Sequence, residues 1–95
     1  MTVGLCVLLW ANEGQQAALI DYEDTVLSYL PAHEGRVLHR ARTAGADGEP
    51  LEIHLLEFES ESAFDGYMNS EARLALSGDR DRAIARTEVF RVDLV

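Results

Sequence analysis

Lysine is absent. All eight bases are arginines, set against seventeen acids, for a formal net charge of −9. An acidic chain repels polyanions, so nucleic acid and anionic membrane surfaces are excluded as expected partners. The all-arginine usage reflects either genome composition or carboxylate recognition, for which the planar guanidinium suits. Cysteine is nearly absent too. With Cys6 alone no internal disulfide framework is possible, and a reducing cytoplasm is the simplest compartment. No long apolar run occurs. The longest, VGLCVLLWA from Val3 to Ala11, is too short to span a bilayer. It also lacks the basic lead-in and small-residue cleavage site of a secretory signal. Repeats, low-complexity tracts and linkers are missing, so the 95 residues read as one domain, 1–95.

What is present is a regular alternation of element types. Val3–Trp10 is apolar at nearly every position, as in a strand covered on both faces. Asn12, with Gln15 three residues on, predicts a capping box, and Glu13 a first-turn acid. Leu19, Tyr22, Val26, Tyr29 and Leu30 then fall at helical spacing, with Asp21, Glu23 and Asp24 turned largely outward, and Pro31 ends the helix. Arg36–Arg42 and Leu51–Phe58 read as two strands joined through the Asp47-Gly48 turn. Ser60 opens a second helix whose inner face is Ala63, Phe64, Tyr67 and Met68. Asn69 and Ser70 permit a break, DRDRAIA reads as a further helical turn or two, and Thr87–Val95 alternates as a last strand.

The order β-α-β-β-α-β predicts an α+β, ferredoxin-like domain with an antiparallel four-stranded sheet in order 4-1-3-2 and both helices on one face. The first strand is apolar on both faces, with Val3, Leu5, Val7 and Leu9 on one and Cys6, Leu8 and Trp10 on the other. Such a patch marks an interface, most simply with the same face of a second copy, so the expected partner is the chain itself.

The middle hairpin is registered by charge. Placing Arg42 opposite Glu52 and Arg40 opposite His54 pairs unlike charges and brings Leu38 to Leu56. A one-residue slip would instead pair Arg36 with Glu57 and set His39 beside His54. In the favoured register Leu51, Ile53 and Leu55 form the more apolar face and are expected under the helices. Glu52 and His54 are then expected on the open face.

The run LLEFESESAFDGYMNSEARLAL resembles the small dimeric α/β-barrel proteins. The likeness is to a branch with no assigned activity, in which Glu57-Phe58-Glu59-Ser60 leads to Ala63-Phe64 and Tyr67-Met68, followed by a segment like Arg80–Val89. More distant are the antibiotic-biosynthesis-type monooxygenases. The resemblance implies that two sheets face each other as a barrel. It covers cofactor-free oxygenases, haem-binding enzymes and lactone isomerases without choosing among them. Sibling folds are excluded by residue. LEIHLLEF lacks the basic, aromatic third strand of RNA-binding domains. One cysteine cannot make the C-x-x-C of soft-metal carriers, and ANEGQQ lacks the arginine an acylphosphatase would want.

His54 is the main catalytic candidate, as a general base titrating near neutrality. Glu52 and Arg40 are its expected neighbours, Arg40 steadying an oxyanion, and the alternative is a structural polar cluster. Tyr22 could point a hydroxyl into a pocket, or pack with it bonded. Trp10 could line a ligand cavity, or close the dimer contact. His39 and His33 read as strand and surface residues, and Cys6 as inert. The charges of DRDRAIAR form a solvated face, unless Arg80, Arg82 or Arg86 guards a pocket mouth. Three histidines without ligand spacing predict no metal site, and no cofactor is expected. The reading is therefore a small-molecule-binding homodimer, with a cofactor-independent monooxygenase or isomerase and a structural dimer with a filled barrel as alternatives.

Overall fold

In the computed structural model, which describes residues 2–95, strand β1 (Val3–Ala11) runs through the middle of a four-stranded sheet. It pairs antiparallel with β3 (Glu52–Phe58) on one side and β4 (Ile84–Val92) on the other, and β2 (Gly35–Arg42) completes the order β2-β3-β1-β4. The expected ferredoxin-like sheet is what forms. Helix α1 (Gln16–Leu27) links β1 to β2, and α2 (Glu61–Met68) follows β3. Two short helices, α3 (Glu71–Leu74) and α4 (Ser77–Ala83), carry the chain to β4.

Several boundaries moved for local reasons. Asn12 does not cap α1; its amide donates to the carbonyls of Asp81 (3.2 Å) and Arg82 (2.9 Å), tying the end of β1 to α4. Gln15 takes the cap position without a side-chain bond, which leaves Glu13 outside the first turn. Pro31 sits not at the end of α1 but inside a 3-10 turn, Leu30–His33, where its fixed φ fits the first turn and no N–H is lost. Ser60 caps α2 as expected, accepting from the Ala63 amide at 3.0 Å. The hairpin turn also forms as read. Asp47 and Gly48 both have positive φ, 52° and 81°, and the Glu49 amide donates to the Ala46 carbonyl at 2.9 Å. That is the type I′ geometry matched to strand twist.

The hairpin contains both proposed registers. Arg42 lies opposite Glu52 and Arg40 opposite His54, while beyond an irregularity between Val37 and His39 the pairing is Val37 with Leu56 and Arg36 with Glu57. Leu38 is thus the extra residue of a bulge, and the expected Leu38–Leu56 pair does not form.

Side chains of Val3, Leu5 and Leu9 share one sheet face with Leu56 and Phe58 and are buried beneath the helices. At one end they pack with Leu30, Ala63 and Tyr67, and at the other with Leu19, Tyr22, Val26 and Ile84. Full burial of each such side chain contributes about 1.5–3 kcal/mol. The opposite face carries Cys6, Leu8, Ile53, Leu55 and Phe90, half-buried or exposed; Phe90 is 49% exposed. No helix of the described residues is long and apolar enough to cross a membrane.

Candidate functional site

Strand alternation puts Glu52, His54, Leu56 and Phe58 on one face of β3, and all four are buried. This is the helix-covered face, the reverse of the expectation. Ile53 and Leu55 lie on the other face; Leu51, just before the strand, is buried against Leu9 and Leu19. Counting apolar residues misassigned the faces because the polar pair is internally satisfied, which removes most of the cost of burying it.

Glu52 is 0% exposed and accepts five hydrogen bonds. Its Oε1 takes Arg40 Nε and His54 Nε2, both at 2.8 Å; its Oε2 takes Arg40 Nη2 at 3.0 Å and Arg42 Nε and Nη2 at 2.9 and 2.7 Å. Burial by itself would raise the Glu52 carboxyl, but the bonds from Arg40, His54 and Arg42 overcome it and hold the group below the usual carboxylate range. An ionised carboxylate only accepts, so His54 Nε2 carries the proton and donates. The Nδ1 lone pair is thereby left facing the other way. Burial keeps the imidazole below its ordinary pKa against the pull of Glu52, so the ring is neutral near pH 7.

His54 Nδ1 faces Glu23 of α1, with Oε1 at 3.7 Å. Glu23 is 6% exposed and accepts no hydrogen bond among the described residues. Burial pushes its carboxyl up to about 7; the negative charge of Glu52 adds to the rise, and Arg73, Arg40 and Arg80 oppose it.

His54 and Glu23 both line a cavity of about 290 Å³ between the sheet and the helices. Its walls are apolar: Leu5, Val7 and Leu56 from the sheet, Val26, Phe64 and Met68 from the helices. Tyr22, Thr87, Arg73 and Arg80 complete the polar lining. Tyr67 also lines it, but its hydroxyl is committed to the Val26 carbonyl at 3.2 Å, and burial pushes its pKa up to about 12. The arrangement can hold a small, largely apolar molecule with a neutral imidazole and a half-protonated carboxyl against one end.

Of the residues singled out in the sequence, His54 and Tyr22 line this cavity, whereas Glu52 backs His54 from behind. Arg40 does not line it. Its guanidinium is spent on Glu52, on Asp24 (Nη1 to Oδ1, 2.6 Å) and on the Ile20 carbonyl (3.4 Å), strapping β2 to α1. The expected oxyanion role of Arg40 therefore has no geometric basis. Trp10 lies on the opposite sheet face. There its indole donates to the Gly48 carbonyl at 2.8 Å and stacks under Arg86, 4.5 Å from guanidinium carbon to ring centre. It closes the hairpin loop onto β1 rather than lining a cavity. Arg82 and Arg86 pair with Asp79 and Glu88, while Arg80 reaches the cavity.

Glu23 and Arg73 were missed. Glu23 was legible: with Leu19, Tyr22 and Val26 it makes the i, i+3, i+4, i+7 stripe of a buried helix face, and only its charge suggested an outward position. Arg73 depends on how the short helix α3 sets its guanidinium beside Tyr67 of α2, for which the sequence carries no local signal. Among the described residues no group of three His, Cys, Asp or Glu side chains is placed to hold a metal ion.

No protein-family model matches the chain, and no curated protein does. Solved structures do. A dimeric ferredoxin-like protein of unknown function from Thermobifida fusca is 20% identical with a TM-score of 0.71, covering 99% of this chain and 92% of that one. A dimeric protein of unknown function and ferredoxin-like fold from Bacteroides fragilis is 11% identical, TM-score 0.73, covering 98% and 96%. A candidate antibiotic biosynthesis monooxygenase from Caulobacter crescentus is 16% identical, TM-score 0.76, covering 99% and 90%. At these identities the likeness establishes the fold.

Proposed function

We propose that this protein binds a small organic molecule in the cavity between sheet and helices, and that His54 exchanges a proton with it. One observation carries the reading. A buried imidazole, locked by Glu52 at Nε2 and facing Glu23 with Nδ1, lines a largely apolar cavity of about 290 Å³. A fixed tautomer with its acceptor aimed at a bound molecule is what a general base needs. The enzymatic form of the reading is a cofactor-independent monooxygenase or isomerase. There Nδ1 removes a proton from an activated carbon or hydroxyl, and the ionised Glu52 steadies the imidazolium without taking the proton itself. The monooxygenase-like neighbour of the same fold supports this form.

The test is turnover of polyphenolic substrates by the wild type and His54→Ala, with ligand-induced NMR shifts recorded alongside. Shifts at Tyr22, His54 and Phe64, and activity lost in the folded variant, are the expected results. Shifts confined to Leu8, Leu55 and Phe90 on the other face would move the site elsewhere, and full activity in the variant would remove His54 from the mechanism.

The working form is a homodimer joined through the open face, in a reducing compartment such as the cytoplasm, where the lone Cys6 stays a thiol. Apolar Cys6, Leu8, Ile53, Leu55 and Phe90 on one face support the pairing, as do the fold neighbours described as dimeric. A sedimentation mass of one chain at micromolar concentration would overturn it.

A further inference from the structure

The cavity's two arginines stand apart from the others. Six of the eight arginines pair with carboxylates: Arg36 with Glu57, Arg40 and Arg42 with Glu52, Arg82 with Asp79, Arg86 with Glu88 and Arg91 with Glu61. With seventeen acids in the chain, a carboxylate partner is the ordinary fate of a guanidinium here. Among the described residues, Arg73 and Arg80 alone have none within 4.0 Å, and both line the cavity.

Their polar contacts are few. Arg80 Nη2 donates to Thr87 Oγ1 at 3.3 Å. Arg73 Nη1 reaches the Met68 carbonyl at 3.5 Å, and its guanidinium lies against Tyr67, its carbon 5.1 Å from the ring centre and its N–H groups near enough to the hydroxyl to oppose the rise in its pKa. Arg73 Nε is buried with no acceptor. A guanidinium offers five N–H donors, and a buried charged donor left without an acceptor is strongly disfavoured. Glu23 lies on the same cavity but beyond ion-pairing distance of either arginine. The cavity thus combines hydrocarbon walls with two uncompensated planar cations on α3 and α4.

We infer that the cavity's ligand is a small apolar carboxylic acid, its carboxylate held by Arg73 and Arg80 and its hydrocarbon body against Val7, Leu56 and Phe64. The inference rests on the cavity being the ligand site and adds the chemical class. Carboxylate geometry matches the guanidinium fork. The approach of an anion is further eased because His54 is neutral and Glu23 is protonated for much of the time near pH 7. Such an acid would sit with its body beside Nδ1 of His54.

The probes are 2-naphthoate and its neutral isostere 2-naphthamide, titrated at low salt and followed by NMR at Tyr22, His54 and Phe64. Naphthoate is expected to bind roughly tenfold or more tightly than the amide. Arg73→Gln and Arg80→Gln should each reduce that preference, and the double variant should erase it. Thermal melts verify that each variant is folded. An amide that binds as tightly as the acid, or a preference that survives the double substitution, overturns the inference and leaves the ligand site standing. If neither probe shifts any cavity signal, the ligand-site reading itself fails and the inference falls with it.

Discussion

Two buried glutamates flank His54, and they are opposites. Glu52 and Glu23 are 0% and 6% exposed, at 2.8 and 3.7 Å from the two ring nitrogens. Glu52 accepts five hydrogen bonds, four from arginines, and stays ionised. Glu23 accepts none among the described residues, and burial drives it up to about 7. Depth alone therefore does not decide the charge of a buried acid; the supply of donors does. The asymmetry gives the imidazole one hydrogen-bonded side and one side facing a carboxyl whose charge changes near pH 7.

The sharpest way to break the comparison is at its stable end. Glu52→Ala removes the acceptor of two arginines and His54, and breaking a buried ion pair from one side costs about 3–5 kcal/mol. Arg40 and Arg42 retain partial contact with water, so a loss near 3 kcal/mol is expected in urea denaturation at pH 7. The Glu52 carboxyl is depressed in the folded state. Its contribution is therefore present above the ordinary carboxylate pKa and fades as the pH falls through the lower folded value, so the variant and wild type converge in acid.

At the other end the sign reverses. Glu23 rises from 4.5 to about 7 on folding, so the folded state binds the extra proton. Its contribution is fully present below pH 4.5 and is lost as the pH climbs through about 7. The shift corresponds to at most ~3 kcal/mol. Glu23→Gln, which cannot ionise, should stabilise the protein by about 1–3 kcal/mol at pH 8 and by about nothing at pH 4. Thermal melts at the two pH values check this, and a variant less stable than wild type at pH 8 would contradict it.

This pair also marks where sequence reading stops. The strands, the Asp47-Gly48 turn and the Ser60 cap follow from local patterns, and each formed. The faces of β3 did not follow, because a five-bonded carboxylate can replace an aliphatic side chain beneath helices while leucines line the other face. Charge pairing did locate Arg40 and Arg42 over His54 and Glu52. It favoured that one register throughout, whereas a bulge at Leu38 lets one hairpin use both. Glu23 was hidden by its type rather than by its position on the α1 stripe. The convergence of Arg73 and Arg80 arises from short, irregular helices after α2, where no periodicity extends far enough to read.

A smaller effect isolates neutral hydrogen bonding from charge. Tyr67→Phe deletes only the buried hydroxyl that donates to the Val26 carbonyl. The carbonyl keeps its other lone pair, so the loss should be about 1 kcal/mol, independent of pH from 4 to 9, unlike either glutamate. A pH-dependent loss in this variant would mean that the hydroxyl is coupled to Glu23.

The smallest effect tests whether burial, rather than carboxylate–guanidinium pairing as such, makes Glu52 matter. The same hairpin carries a second cross-strand pair, Arg36 with Glu57, in which the arginine side chain is 66% exposed. Water and salt screen such a pair, and holding a long side chain in place offsets most of what attraction remains. Arg36→Gln should therefore cost no more than about 0.5 kcal/mol, and the difference should vanish at high salt. The Glu52→Ala loss should survive the same salt, because ions cannot reach a carboxylate with no exposed surface. If the two losses respond alike to salt, the Glu52 cluster is open to solvent in solution, and the locked tautomer of His54 loses its support.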